Sequence, residues 1–461
     1  MLHELASFVV SADYRDLSEA ARVQAKIRVL DALGCAIAAR DAAPIHQIAA
    51  LNAEFGGSPR CTLIGGGRTA PDRAALYNSA RVRFLDFNDS YLAKGETCHP
   101  SDNLGAVLAA CEYFGGDGKD FLTALAVAYQ VQCRLSDVAP VRQKGFDHTT
   151  QGAYALAAGV SKALHLDQVK TANAIAISGT AFNALRVTRT GALSNWKGLA
   201  YPNTAFGKGL AYPNTAFGAT QATFLAMHGI TGPHEVFEGN KGFMDAIAGQ
   251  FSINWSEENL EKITETVVKR YNAEMHSQAT IEGVLELKKQ VNISAPDIRN
   301  IKIETFDVAY NIIGGGEEGE KFTVNTKEEA DHSLPYIVAV AILDDQVLPP
   351  QYLPERISRK DVQSLLRKVE VHPRDEFSQR FPAEMPCRIT ISLEDGQQFT
   401  LEKRDYEGFR TRPMQWDGAV TKFTQLTSTF IASSLQHKII DHVQNLEKIQ
   451  ISDLTGLLEQ V

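Results

Sequence analysis

Four Ala-rich stretches between residues 104 and 186 are apolar on nearly every face: LGAVLAACEYF (104–114), DFLTALAVAYQVQCRL (120–135), GAYALAAGVSKAL (152–164) and the segment 170–186. A helix with no polar face must be buried among other helices. Small side chains at so many positions also let such helices approach closely. The first part of the chain is therefore confined to an all-α domain. Upstream, Ala21, Ile27, Leu30, Leu33 and Ile37 recur at helical spacing behind Ser18, which suits an N-cap. Loops marked by Gly65-Gly66-Gly67, by the Gly-Gly-Asp-Gly run at 115–118 and by His99-Pro100 separate the helical stretches.

The writing changes after about residue 265. Ile301, Ile303 and Thr305 alternate with charged residues, and KVEVH (368–372), CRITISL (387–393) and QFTLEK (398–403) repeat the period of two. The last two flank Glu394-Asp-Gly-Gln-Gln, a hairpin signal. Helical text lies between them, at 277–290, 334–344 and 359–368, so this region reads as α+β. From about 418 the chain returns to helix. The fold class expected is mainly α with an α+β lid: a helical domain over 1–266, completed by C-terminal helices at 410–461, and a smaller α+β lid domain over 267–409.

Composition narrows the function. Lys and Arg total 46 against 55 Asp and Glu, a net charge of −9, which disfavours general nucleic-acid or anionic-membrane binding. Any anionic ligand must then meet locally concentrated cations. No apolar run approaches the about 20 residues that span a bilayer, and the N-terminus has no secretory or Arg-rich transit pattern, so a cytoplasmic protein is expected. The six cysteines form no C-x-x-C pair and no zinc-type spacing, and read as small buried hydrophobes. Neither a dinucleotide-binding glycine motif nor a P-loop is present, so no nucleotide cofactor is expected.

Residues 197–207, KGLAYPNTAFG, recur unchanged at 208–218. Two copies of so short a unit are no solenoid; this is a local tandem duplication. Eleven residues at about 100° each come to about three turns plus 20°, nearly in phase with a helix. Pro202 and Pro213 nevertheless suit a helix interior poorly, which predicts that at least one copy loops out.

Three polar islands interrupt the helical half. Asp86-Phe-Asn-Asp89-Ser90 with His99-Pro100-Ser101-Asp102-Asn103 is the densest. Capping accounts for Ser101 and Asp102 at a helix start, but a histidine beside a proline is not needed for a cap. Lys144-Gly-Phe-Asp147-His148 precedes an Ala-rich helix, where His148 is either a capping group or a ligand contact. Arg186, Arg189 and Lys197 lie within twelve residues around Trp196 and suit carboxylate binding. Lys269-Arg270-Tyr271 and His276 alone read as a surface helix end, and Asp331-His332-Ser333-Leu334-Pro335 as a helix start. Two histidines, carboxylates and local cations suit acid–base chemistry on a small polycarboxylate. A metal hydrolase using Asp86, Asp89, His99 and Asp102 is the weaker alternative, since no metal-ligand spacing supports it.

The motif order DFNDSY, HPSDN, KGFDHTTQGAYA, LRVTRTG, SNWKGLAYPNTAFG, GITGP, FEGNKGF and DHSLPY resembles the MmgE/PrpD family, its 2-methylcitrate dehydratases in particular, over nearly the whole chain. The resemblance implies a helical domain with an α+β lid, a homodimer, no metal or other cofactor, and a tricarboxylate substrate. Position by position, Asp86 matches the acid opening D-F-x-D, and Ser90 stands where many members have Thr. His99 matches the H-P-S histidine, His148 the G-F-x-H histidine and Lys197 the lysine of S-N-W-K-G. Lys269 and Tyr271 fall on the K-x-Y stretch. Expected catalytic groups are His99, His148, Asp86, Lys197, Lys269 and Tyr271; Ser90, Arg186, Arg189 and His276 would bind substrate.

The implied reaction converts 2-methylcitrate to 2-methyl-cis-aconitate and water, a step of propionate breakdown. His99 and His148 would be the acid–base pair, Asp86 would orient one imidazole, and the lysines and arginines would bind carboxylates. The duplication leaves Lys208 as a substitute for Lys197, with Lys197 preferred because it keeps the SNW context. Other readings are cis-aconitate decarboxylation, citrate or isocitrate dehydration, and an inactive polycarboxylate-binding member.

Overall fold

The computed structural model describes residues 1–189 and 210–461, apart from the side chains at 188, 189 and 328. The described chain divides into two units. One comprises residues 1–189, 210–268 and 415–461, and the other Lys269–Met414. As the patterning predicts, the chain is mainly helical with a smaller α+β part.

The helices used below are α1 (Glu19–Ala38), α2 (Pro71–Phe84), α3 (Leu104–Phe114), α4 (Gly118–Val138), α5 (Thr149–Ala163), α6 (Gln168–Ala181) and α7 (Ala211–Met227) in the first unit. The second unit contributes α8 (Gln278–Val291) and α9 (Leu334–Asp344), and the tail of the first unit contributes α10 (Trp416–Thr427). Helix α5 is the centre of the first unit. Every residue of it but Lys162 is buried, and it packs against α3, α4, α6 and α7. That is the placement its apolar, Ala-rich faces demand. Helix α1 begins where its sequence predicts, with Ser18 Oγ accepting from Ala21 N at 3.0 Å. Helix α10 packs on α1, so the tail returns to the first unit.

The second unit holds a four-stranded sheet of β1 (Ile298–Thr305), β2 (Val369–Pro373), β3 (Cys387–Leu393) and β4 (Gln398–Lys403), in the order β2-β1-β3-β4. Strands β1 and β2 are parallel, and the other pairings antiparallel. Asp395-Gly396 turns the β3–β4 hairpin, with Gly396 at φ 90°, a conformation glycine adopts without strain. Helices α8 and α9 pack on this sheet.

The second copy of the duplication, from Ala211, opens α7. Pro213 is the third residue of that helix, in the first turn, where a missing N–H costs no intrahelical bond. The first copy, with Lys197 and Pro202, and Lys208 of the second lie outside the described residues. Among the described residues no helix is long and apolar enough to cross a membrane.

Candidate active site

The first unit gathers the polar islands around two histidines. A short hairpin, Tyr91–Ala93 paired with Glu96–Cys98, delivers His99 at its end, while His148 sits at the N-terminus of α5. Their ring centroids are 5.4 Å apart at 69°, edge to face. Both are buried, His99 7% and His148 2% exposed. His148 stands at the N-cap position of α5 but makes no side-chain capping bond there.

His99 is oriented by its own loop. Its Nδ1 lies 2.8 Å from the Asp89 carbonyl and 3.1 Å from Ser90 Oγ. A carbonyl can only accept, so Nδ1 carries the proton, and in the neutral ring Nε2 is the basic nitrogen. Ser90 is fully buried and in turn pairs through its backbone with Val267 in both directions at 2.8 Å. Beside His148 in the chain, Asp147 places Oδ1 3.6 Å from its Nε2 and also accepts from Thr149 N at 3.2 Å. Asp86, expected to orient an imidazole, forms an ion pair with Arg83. It does so from a left-handed backbone conformation, φ 51°, unusual for a residue with a side chain.

Beneath the loop, Asp89 and Asp102 are fully buried. Asp89 accepts from Ser101 N at 3.0 Å and from the Tyr129 hydroxyl at 2.8 Å, and burial pushes its carboxyl up. Asn88 Nδ2 donates to Ser101 Oγ and to Asp102 Oδ1, each at 2.8 Å. The capping expectation for Ser101 and Asp102 is therefore overturned. Asn103 occupies the N-cap of α3 without a side-chain capping bond, its amide being committed instead to the Pro100 carbonyl at 2.8 Å and Gln132 Oε1 at 2.7 Å.

Burial raises the Asp102 carboxyl to about 7, against the opposing field of Arg83. The folded chain thus keeps this proton to about pH 7, whereas an unfolded aspartate loses it near about 4. The native state binds the extra proton between those values, so this group makes stability fall as pH rises through that window. Asp102→Asn should gain on the wild type, in urea midpoint, between pH 5 and pH 8. A pH-independent difference would refute the assignment.

Helix α7 closes this cluster. Tyr212, from the second copy of the duplication, donates to Asn103 Oδ1 at 2.9 Å or Gln132 Oε1 at 3.1 Å, and its ring lies 5.9 Å from that of His148 at 30°. Arg186 N donates to Gly145 O at 2.8 Å, and Asp147 N to Ala184 O at 2.8 Å, tying the arginine segment to the His148 loop. The side chains of Arg189 and Lys197 lie outside the described residues.

In the second unit, Lys269 is 1% and His276 6% exposed, and Tyr271 is half-buried with its hydroxyl pushed up by burial. The surface-helix-end reading fails here. Gln278 Oε1 takes the Arg270 and Tyr271 N–H groups at 3.0 and 2.9 Å, drawing the segment inward. Glu274 accepts from His276 N and lies on its Nδ1, both at 2.7 Å. Burial opposes ionisation of Glu274, but His276 and then His332 outweigh it and hold the carboxyl at about 2. Asp331-His332-Ser333 does open a helix, with Ser333 Oγ accepting from Tyr336 N at 3.1 Å.

Among the described residues no three His, Cys, Asp or Glu side chains converge as a metal site, so the hydrolase alternative has no donor set there. Tyr129 and Gln132 escaped the sequence reading because they sit in a stretch that otherwise reads as packed helix, and Tyr212 because its proline-marked repeat gave no sign of which copy enters a helix. Asp147 was visible, one residue before His148.

Comparison with known proteins agrees with this arrangement of motifs. Residues 3–256 match the family model of the MmgE/PrpD N-terminal domain, and residues 271–448 that of the MmgE/PrpD C-terminal domain. A cis-aconitate decarboxylase of Mus musculus is 26% identical over 95% of this chain and 88% of its own. A mitochondrial 2-methylcitrate dehydratase of Yarrowia lipolytica is 27% identical over 86% and 77%, and a 2-methylcitrate dehydratase of Salmonella typhi 25% identical over 84% and 81%. With both family models matched in order over most of its length, the chain belongs to the MmgE/PrpD family.

Proposed function

We propose that this protein is a lyase that dehydrates 2-methylcitrate to 2-methyl-cis-aconitate by acid–base catalysis, without a metal or organic cofactor. The observation that carries the reading is the edge-to-face contact of His99 and His148, two proton-transfer groups supported by separate loops. The reaction takes a proton from the carbon beside a carboxylate and expels a tertiary hydroxyl. One imidazole accepts the carbon-bound proton, the other protonates the departing hydroxyl, and water leaves. Asp86 and Ser90 hold the His99 loop in working order. Arg186 and Arg189, with Lys197, bind carboxylates. Lys269 and Tyr271 take part in catalysis, and His276 binds substrate. The working protein is a homodimer, a state that light scattering reads directly.

The lysine has a second assignment with specific support. Tyr212 belongs to the second copy, and the lysine four residues before it is Lys208, not Lys197. Replacing each with alanine separates them: the one that binds a carboxylate raises KM or lowers kcat, and the other leaves both unchanged. If neither changes turnover, the lysine loses its role.

Substrate choice is tested by offering 2-methylcitrate, citrate and cis-aconitate side by side. The reading expects the highest kcat/KM on 2-methylcitrate, with citrate lower by about 10- to 200-fold for the missing methyl. Faster carbon dioxide release from cis-aconitate would establish the decarboxylase instead, the activity named for the Mus musculus relative.

A further inference from the structure

A buried ion pair lies directly under the loop that carries Asp86, Asp89 and Ser90. Lys422, on α10, donates from Nζ to the Phe87 carbonyl at 2.7 Å and stands 2.5 Å from Asp31 Oδ1. Its ammonium is also 3.8 Å from the centroid of the Phe87 ring. The two charged side chains are 2% and 1% exposed. Asp31 lies on α1 one turn after Arg28, whose Nε donates to Thr266 Oγ1 at 2.9 Å and whose Nη2 donates to Thr266 O at 2.6 Å. The next residue, Val267, is the one paired with Ser90. One face of α1 thus grips the loop at both ends, through Lys422 at Phe87 and through Thr266–Val267 at Ser90.

A buried pair of this kind is a poor way to gain stability, since desolvation of both charges offsets their attraction and an apolar pair would serve as well. What an apolar pair cannot supply is a donor aimed at the Phe87 carbonyl. We propose that Lys422 is a positioning residue for the reaction, tethering the Asp86–Ser90 loop so that the Asp89 carbonyl and Ser90 Oγ hold His99 in its working orientation. The inference rests on the acid–base role of His99 argued above.

Lys422→Met alone leaves the buried Asp31 carboxyl without the lysine that offsets its burial, so its loss of stability would say nothing about positioning. Two neutral double variants isolate the tether. Asp31→Asn/Lys422→Gln keeps an N–H donor at position 422, and Asp31→Asn/Lys422→Met has none. The expected result is that both fold with similar melting temperatures. The glutamine variant keeps most of the wild-type kcat, while the methionine variant loses about 10- to 100-fold in kcat, as a displacement of about 1 Å would cost, with KM little changed. Equal kcat in the two folded variants overturns the proposal. Failure of both to fold overturns it as well, because the pair is then a structural element. Wild-type protein that turns over none of the three acids removes the acid–base reading itself, a result distinct from either.

Discussion

His148→Ala and His99→Ala are each expected to lower kcat on 2-methylcitrate by about 10²- to 10⁴-fold, the usual worth of a positioned general acid or base. The rings are in contact, and the two loops that carry them are held by unrelated bonds: the Asp89 carbonyl and Ser90 for one, the start of α5 for the other. Removing one imidazole therefore leaves the support of the other in place. Because acid and base act on a single transition state, the double variant should fall little below the weaker single variant, not to the product of the two losses. Thermal unfolding of the same samples separates chemistry from folding. A folded single variant with wild-type kcat would strike that histidine from the mechanism.

The second large effect concerns the fold that brings these loops together. Gly105 lies in α3 immediately after the Pro100–Asn103 turn, and a Cβ built there meets the Ser79 backbone nitrogen on α2. It also lies 2.6 Å from Ser79 Oγ and 2.9 Å from the Asn78 carbonyl carbon. Backbone cannot rotate out of the way as a flexible side chain can. Asn78 and Ser79 are moreover fixed by bonds to Thr62, Ile64 and Asp102. Gly105→Ala should thus push α2 and α3 apart and destabilise by about 1–3 kcal/mol, the usual range for overpacking. Helix propensity alone argues the other way, by about 1 kcal/mol in favour of alanine. At Gly456, exposed in the helix Ile451–Leu458, an added Cβ would meet nothing within 4 Å, so Gly456→Ala should show that gain. The same substitution then takes opposite signs at two helical glycines. Urea unfolding of both variants checks it, and destabilisation at neither or both would refute the packing argument.

That contrast explains which parts of the fold are legible in the sequence. Helices α3 to α6 declare themselves because a segment apolar all round must be buried, and small residues announce close approach. Strands β3 and β4 carry strict alternation and an Asp-Gly turn, and their observed bounds, Cys387–Leu393 and Gln398–Lys403, coincide with the period-two text. Polar residues are harder. His99 and His148 stand out as polar islands in loops, whereas Tyr129 on α4 looks like any core aromatic until the Asp89 carboxylate is seen against its hydroxyl. Ser101 and Asp102 have the composition of a cap, yet a local rule cannot foresee that Asn88, thirteen and fourteen residues earlier, claims them. Lys422 and Asp31 lie at opposite ends of the chain, and only tertiary packing brings them together and buries them.

The most direct measurement is the absorbance of the conjugated acid when the purified wild-type chain is given 2-methylcitrate alone, with carbon dioxide followed in the same vessel. The account predicts a steady rise in absorbance, one water lost per turnover and no carbon dioxide. Folded protein that leaves 2-methylcitrate untouched, with no rise in absorbance, would contradict it.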